Sequence, residues 1–141
     1  MKLDIVTPER RLATVKNEEV RLPADVTSVV LPTKAGQMEI LPGHSPLLAL
    51  LGTGVLSFSA GGKAVNLMVS GGFAEVADDT VRVMTELASL AEEVDKAAEQ
   101  EALTKFQKEL AGLGPVSSDD DNFSHLQAET ERAAAKLNLL Q

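Results

Sequence analysis

Two histidines and no cysteine limit the chemistry open to this 141-residue chain. His44 stands in E-I-L-P-G-H-S-P-L-L (39–48), a Pro-Gly turn between apolar runs, with Ser45 beside it. A histidine next to a serine raises the prospect of nucleophilic attack, with the imidazole taking the hydroxyl proton. Neighbours in a turn or strand usually point apart, however, and nothing marks this serine as a nucleophile. The second histidine, His125, lies in a charged tail. Asp78-Asp79 is too short for a cation loop, and Asp119-Asp120-Asp121 lacks the glycine and distal glutamate of a calcium site. Ser70-Gly71-Gly72 is half of a phosphate cradle, but no Lys-Ser/Thr pair or helix start follows it. A strand kink or a close backbone approach is the expectation there. The inventory implies no catalytic residue, no metal site and no cofactor.

The elements around these residues divide into two periodicities. From Lys2 to about Glu86 the chain reads as short strands with frequent turns. Leu3 and Ile5 mark a first strand ending near Thr7-Pro8, and Val26–Leu31 is a β-branched run before Pro32. Val55–Ala60 and Lys63–Ser70 flank Gly61-Gly62 as a hairpin, with Val65, Leu67 and Val69 alternating against Asn66, Met68 and Ser70. Phe73–Ala77 and Thr80–Thr85 meet at Asp78-Asp79, whose side chains suit a tight turn. Eight or more such strands predict a sandwich or barrel. Pro32 and Pro42 belong at strand ends or edges, since proline cannot donate to a central ladder.

After Glu86 the spacing lengthens to three and four. Leu87, Ala91, Val94, Ala98, Ala102, Phe106 and Leu110 predict an amphipathic helix over about 90–112, with Ser89 and Glu92 as a capping box. Gly112, Gly114 and Pro115 stop it, and Val116–Asp121 is a polar connector. Phe123, Leu126, Thr130, Ala133, Leu137 and Leu140 then form a narrow seam on a second helix, about 120–139. The reading is α+β: a β-sandwich domain over 1–86 and an antiparallel two-helix hairpin over 87–141. The thin stripes make the hairpin the less stable half.

Composition removes several function classes. The net charge is −8, and residues 87–141 alone carry 11 acidic against 5 basic side chains. Nucleic acid is not an expected partner, because no basic field is present to displace counterions. An anionic bilayer surface would repel the chain for the same reason. Without cysteine there is no disulfide and no zinc–thiolate site. Aromatic residues are 3% of the chain, with no Trp or Tyr, which disfavours base or sugar stacking. MKLDIVTPERR has charge where a signal peptide needs an apolar core, and no apolar run reaches the roughly 18 residues of a membrane span.

Two longer stretches carry a resemblance. G-Q-M-E-I-L-P-G-H-S-P-L-L-A-L-L-G-T-G-V-L (36–56) resembles the G-x-x-G-I-L-P-G-H-A-P-L-L signature of the epsilon subunits of rotary proton-translocating ATP synthases. V-S-G-G-F-A-E-V-A-D-D-T-V-R-V-M-T-E-L-A (69–88) resembles that family's second stretch, A-E-E-V-D (91–95) its first helix start, and L-D-I-V-T-P-E-R (3–10) its opening. The likeness covers about residues 1–110 well and the rest by layout. It implies a non-catalytic rotor subunit in the central stalk, which couples proton flow through the c-subunit ring to ATP synthesis. Its sandwich would pack on the gamma subunit, with Gln37, Met38, Glu39 and His44 toward the c-ring. Its hairpin would reach the catalytic subunits transiently, with Arg132 and Lys136 as tail contacts. The implied location is peripheral, on the cytoplasmic face of the bacterial inner membrane, with membrane association only through the complex.

The chain departs from the family pattern in places. Glu39 stands where glycine is common, and Gln37 replaces a frequent acidic residue. Val94 and Asp95 fit the start of an Ile/Leu-Asp-x-x-Arg-Ala motif with which some members bind ATP, but Ala98 and Glu99 replace its Arg-Ala. Triphosphate would then meet an acidic helix, so no ATP binding is expected. With Glu129 and Glu131 beside Arg132 and Lys136, electrostatic inhibition by the tail should be weak. Read without the resemblance, the residues also fit a freestanding β-domain adaptor with a helical hairpin or, less well, a small hydrolase using His44.

Overall fold

In the computed structural model, residues 1–9, 11–13, 20–21, 26–60, 62–113 and 121–140 are described. Gly61 of the expected hairpin turn and the connector over 114–120 lie outside them. Apolar residues at every second position build the first strands. β1 (Lys2–Val6) buries Leu3 and Ile5, and β10 (Thr80–Met84) buries Val81 and Val83. The two run parallel, with Leu3 beside Val81 and Ile5 beside Val83. β2 (Arg11–Ala13), β3 (Val20–Arg21), β6 (Leu47–Leu50) and β9 (Phe73–Ala77) complete a first sheet in the order β3-β2-β1-β10-β9-β6. β4 (Val26–Thr33), β5 (Gly36–Ile40), β7 (Thr53–Ala60), β8 (Lys63–Ser70) and β11 (Leu87–Leu90) form a second, ordered β11-β8-β7-β4-β5. The facing sides of the two sheets bury one core around Phe58, Leu3, Ile5, Leu31, Leu56 and Leu67.

Turn chemistry joins these strands. Asp78 and Asp79 both hold positive φ, 51° and 56°, as a two-residue hairpin turn between β9 and β10 requires. Pro32 lies beyond the stretch of β4 that pairs with β7, so its missing N–H breaks no bond there. The Ser70-Gly71-Gly72 stretch is where the chain crosses from the second sheet to the first. Gly72 has φ +90°, and a Cβ there would overlap the Met84 carbonyl oxygen. The expected close backbone approach is what this stretch provides.

The helical half differs in its start. Residues 87–90, assigned from sequence to the helical half with Leu87 on its apolar stripe and the helix itself expected from about 90, are the edge strand β11, paired with β8 from Leu87–Ser70 to Leu90–Leu67. Ala88 and Leu90 are buried in alternation, a period of two that the longer three-four pattern overlaps. The Ser89–Glu92 cap is replaced by two others. Glu93 accepts the Leu90 N–H at 2.7 Å beside a single 3-10 turn (Ala91–Glu93), and Asp95 accepts the Ala98 N–H at 3.2 Å. α1 therefore starts at Lys96 and runs to Gly112, followed by α2 (Asp121–Leu139). Lys136 near the end of α2 lies 3.3 Å from Glu99 near the start of α1, so the pair is antiparallel. α2 packs on β7 and β8 and α1 packs on α2; α1 itself buries no residue. Leu126 and Ala133 of the expected seam are buried, but Ala135 and Leu139, off that seam, are buried as well. A seam for one helix is thus corrected to a helix with two contact surfaces.

Candidate partner interface

β5 is the edge strand of the second sheet opposite β11, and its alternation sorts the residues expected to meet a partner. Met38 and Ile40 lie opposite the core residues Leu31 and Val29, with Ile40 buried and Met38 half-buried against the core. Gln37 and Glu39 alternate with them and are exposed. The following turn is built by Leu41-Pro42-Gly43-His44: the His44 N–H bonds the Leu41 carbonyl at 3.1 Å, and Gly43 has φ +84°. Proline second and glycine third are what a type II turn selects. The Gly43 N–H donates to Asp79 Oδ1 at 3.3 Å, bracing this turn against the β9–β10 turn.

His44 is exposed, and its Nδ1 donates to the Ser45 carbonyl oxygen at 2.7 Å. In the neutral ring Nε2 is then an acceptor. The bond goes to the Ser45 backbone and not to its hydroxyl, which is not the geometry of a nucleophile and its base. Gln37 and His44 do not converge. The strand between them rises by roughly 3.3 Å per residue, and the β4–β5 end is tied elsewhere, Lys34 N–H to the Leu50 carbonyl at 3.0 Å. The four residues form an edge and not a pocket.

Sequence reading missed the surface next to this edge. In register across the outer side of the first sheet lie Val6, Met84, Phe73 and Leu50, one from each of four strands. The neighbouring row is Asp4, Arg82, Glu75 and Leu48, with Arg82 Nε 3.8 Å from Asp4 Oδ2. Leu48 is 68% and Leu50 63% exposed, and Phe73 is 36% exposed. The signal was available in Leu47-Leu48-Ala49-Leu50-Leu51, a strand apolar on both sides, which only a sheet covered on both faces needs.

The two tail cations are engaged within the chain. Arg132 contacts Ser70, Glu86 and Glu129, and Lys136 contacts Glu99. Asp95, matched from sequence to a nucleotide motif, caps α1. No group of three or more histidine or acidic side chains placed to hold a metal occurs among the described residues, and none of their helices is long and apolar enough to cross a membrane.

Comparison with known proteins adds a lineage to this geometry. Residues 1–91 match the family model described as ATP synthase, Delta/Epsilon chain, beta-sandwich domain. The chain is 39% identical over 137 residues to the ATP synthase epsilon chain of Solibacter usitatus, covering 97% of this chain and 92% of that one. It is 32% identical over 139 residues to the epsilon chain of Geobacter metallireducens, covering 99% and 92%. Among solved structures, a chain of the Euglena gracilis mitochondrial ATP synthase OSCP/F1/c-ring assembly superposes with a TM-score of 0.73 at 25% identity, covering 99% of this chain and 80% of that one. A chain of the Tetrahymena thermophila mitochondrial ATP synthase central stalk and c-ring shares the fold, with a TM-score of 0.61 at 12% identity.

Proposed function

Because the chain belongs to the ATP synthase delta/epsilon family, we propose that it is a central-stalk rotor subunit of a proton-translocating ATP synthase, catalysing nothing itself. The observation that carries this is the bare apolar row on the first sheet. Leu48 and Leu50 stand mostly in solvent on an edge strand, next to Phe73 and Met84. Burying them on a partner contributes on the order of 1–2 kcal/mol for each leucine. The gamma subunit is the proposed occupant, with exposed Arg82 and Glu75 of the neighbouring row as its polar rim.

The exposed edge from Gln37 through Glu39 to His44 then faces the c-ring, with Met38 supporting it from the core side. Its backbone geometry is held by the type II turn and the Asp79 brace, so torque from the ring meets a stiff edge. Membrane association is indirect, through the complex on the cytoplasmic face of the bacterial membrane. The hairpin reaches catalytic subunits only transiently and regulates hydrolysis weakly, because Arg132 and Lys136 must first leave their partners in this fold.

The test is reconstitution with gamma. Leu48→Asp with Leu50→Asp should weaken binding to gamma at least a hundredfold while the isolated chain stays folded. Full retention of gamma binding by the double variant would overturn the assignment.

A further inference from the structure

Met68 is fully buried yet sits outside the sandwich core, covered by Ala135 and Leu139 of α2. Among the described residues, Val55, Leu87 and Val94 are the half-buried apolar side chains packed around it. Arg132 carries polar contacts from α2 to the sandwich. Its Nε donates to Ser70 Oγ at 2.8 Å and its Nη2 to the Glu86 carboxylate at 3.0 Å, while Nη1 lies 3.3 Å from Glu129 on its own helix.

The receiving end is built into the sandwich. A guanidinium only donates, so Ser70 Oγ accepts from it, and Thr53 Oγ1 shares a second hydrogen bond with the same hydroxyl at 2.9 Å. Ser70 is itself buried and fixed from behind: the Thr85 hydroxyl donates to its carbonyl at 2.9 Å, and the Glu86 N–H bonds the same carbonyl at 3.2 Å. Ser70 and Glu86 are thereby presented side by side. The space beside Gly71 holds the Glu86 carboxylate, which lies 3.6–3.8 Å from where a Cβ would stand.

We propose that Arg132 is a releasable latch that holds the helical hairpin on the sandwich through Ser70 and Glu86. On release the guanidinium and the Ser70 hydroxyl both meet water, so neither is stranded as a buried unpaired group. Of its two bonds, the one to buried Ser70 dominates. Glu86 is 70% exposed, and salt screens that pair. Lys136 with Glu99 ties α1 to α2, so the two helices leave together and uncover Met68.

The full chain carries its own test, independent of any partner. It has no cysteine, so Met68→Cys places a single thiol beneath α2. Adding Arg132→Gln should speed maleimide labelling roughly ten- to a hundredfold, the range for a hydrogen bond to a charged group. Glu86→Gln should speed it only two- to threefold, roughly what screening of an exposed pair allows. Lys136→Gln should leave the rate within about twofold, since a pair between the helices does not hold α2 down. A core thiol, Val69→Cys, should not respond to Arg132→Gln. With Met68 retained, Arg132→Gln should accelerate hydrogen exchange in α2 and leave β1 and β10 unchanged. The latch is overturned by parent-rate labelling in Arg132→Gln, by equal acceleration at Val69→Cys, or by unaltered α2 exchange.

Discussion

The two outer faces of this sandwich carry similar residues and meet different fates. On the second sheet, Val55, Met68 and Leu87 point outward and lie under α2, with Met68 wholly removed from water. On the first sheet, Leu48, Leu50 and Phe73 also point outward, and they stand exposed among the described residues. One face is closed by a helix of the same molecule; the other is the face proposed for gamma. The comparison also accounts for the helices. α2 is the lid, with the small residue Ala135 seated on Met68, whereas α1 lies a layer further out on α2 and buries no residue. The hairpin rests on one outer face of the sandwich, an arrangement that lets it open locally without unfolding the sandwich.

Substitutions on the two faces should separate them. Met68→Asp should have the largest effect, costing about 3–5 kcal/mol by placing an unpaired charge under α2. Hydrogen exchange should show that loss as release of α2 before the sandwich melts. Gly72→Ala, at the crossover between the faces, comes next at about 3 kcal/mol, from positive-φ strain and overlap with the Met84 carbonyl. Denaturant unfolding would measure it, and a loss below about 1 kcal/mol would mean that the crossover yields easily. Gly54→Ala should cost about 1–2 kcal/mol, since its Cβ would stand 2.9 Å from Pro32 Cβ. Leu50→Asp is the counterpart of Met68→Asp and should change the stability of the isolated chain by less than about 0.5 kcal/mol. Its effect should appear only in binding to gamma. Equal costs for Met68→Asp and Leu50→Asp in the isolated chain would dissolve the distinction between the faces.

Much of the sandwich was legible because alternation is a local property. Val65, Leu67 and Val69 announce their strand, and the Pro42-Gly43 and Asp78-Asp79 turns announce the chain reversals around them. The start of the hairpin was misread because Leu87, Ala91 and Val94 happen to fit a helical spacing across a strand, a turn and a cap. Only the pairing of Leu87–Leu90 with β8 reveals that they are not one element. The candidate edge from Gln37 to His44 was found by its resemblance to a family, while Leu48, Leu50 and Phe73 were passed over. A double-sided apolar strand reads as core until its neighbours are known.

By itself the sequence determined the two-part architecture, the absence of cysteine and basic-patch chemistry, and the lineage, since these rest on periodicity, residue type and long motifs. Tertiary structure alone decided which apolar face is covered and where the two tail cations go. Arg132 lies 62 positions from Ser70 along the chain, and their 2.8 Å contact depends on how α2 crosses the second sheet. Such a contact follows from packing between elements, whose direction no local spacing encodes.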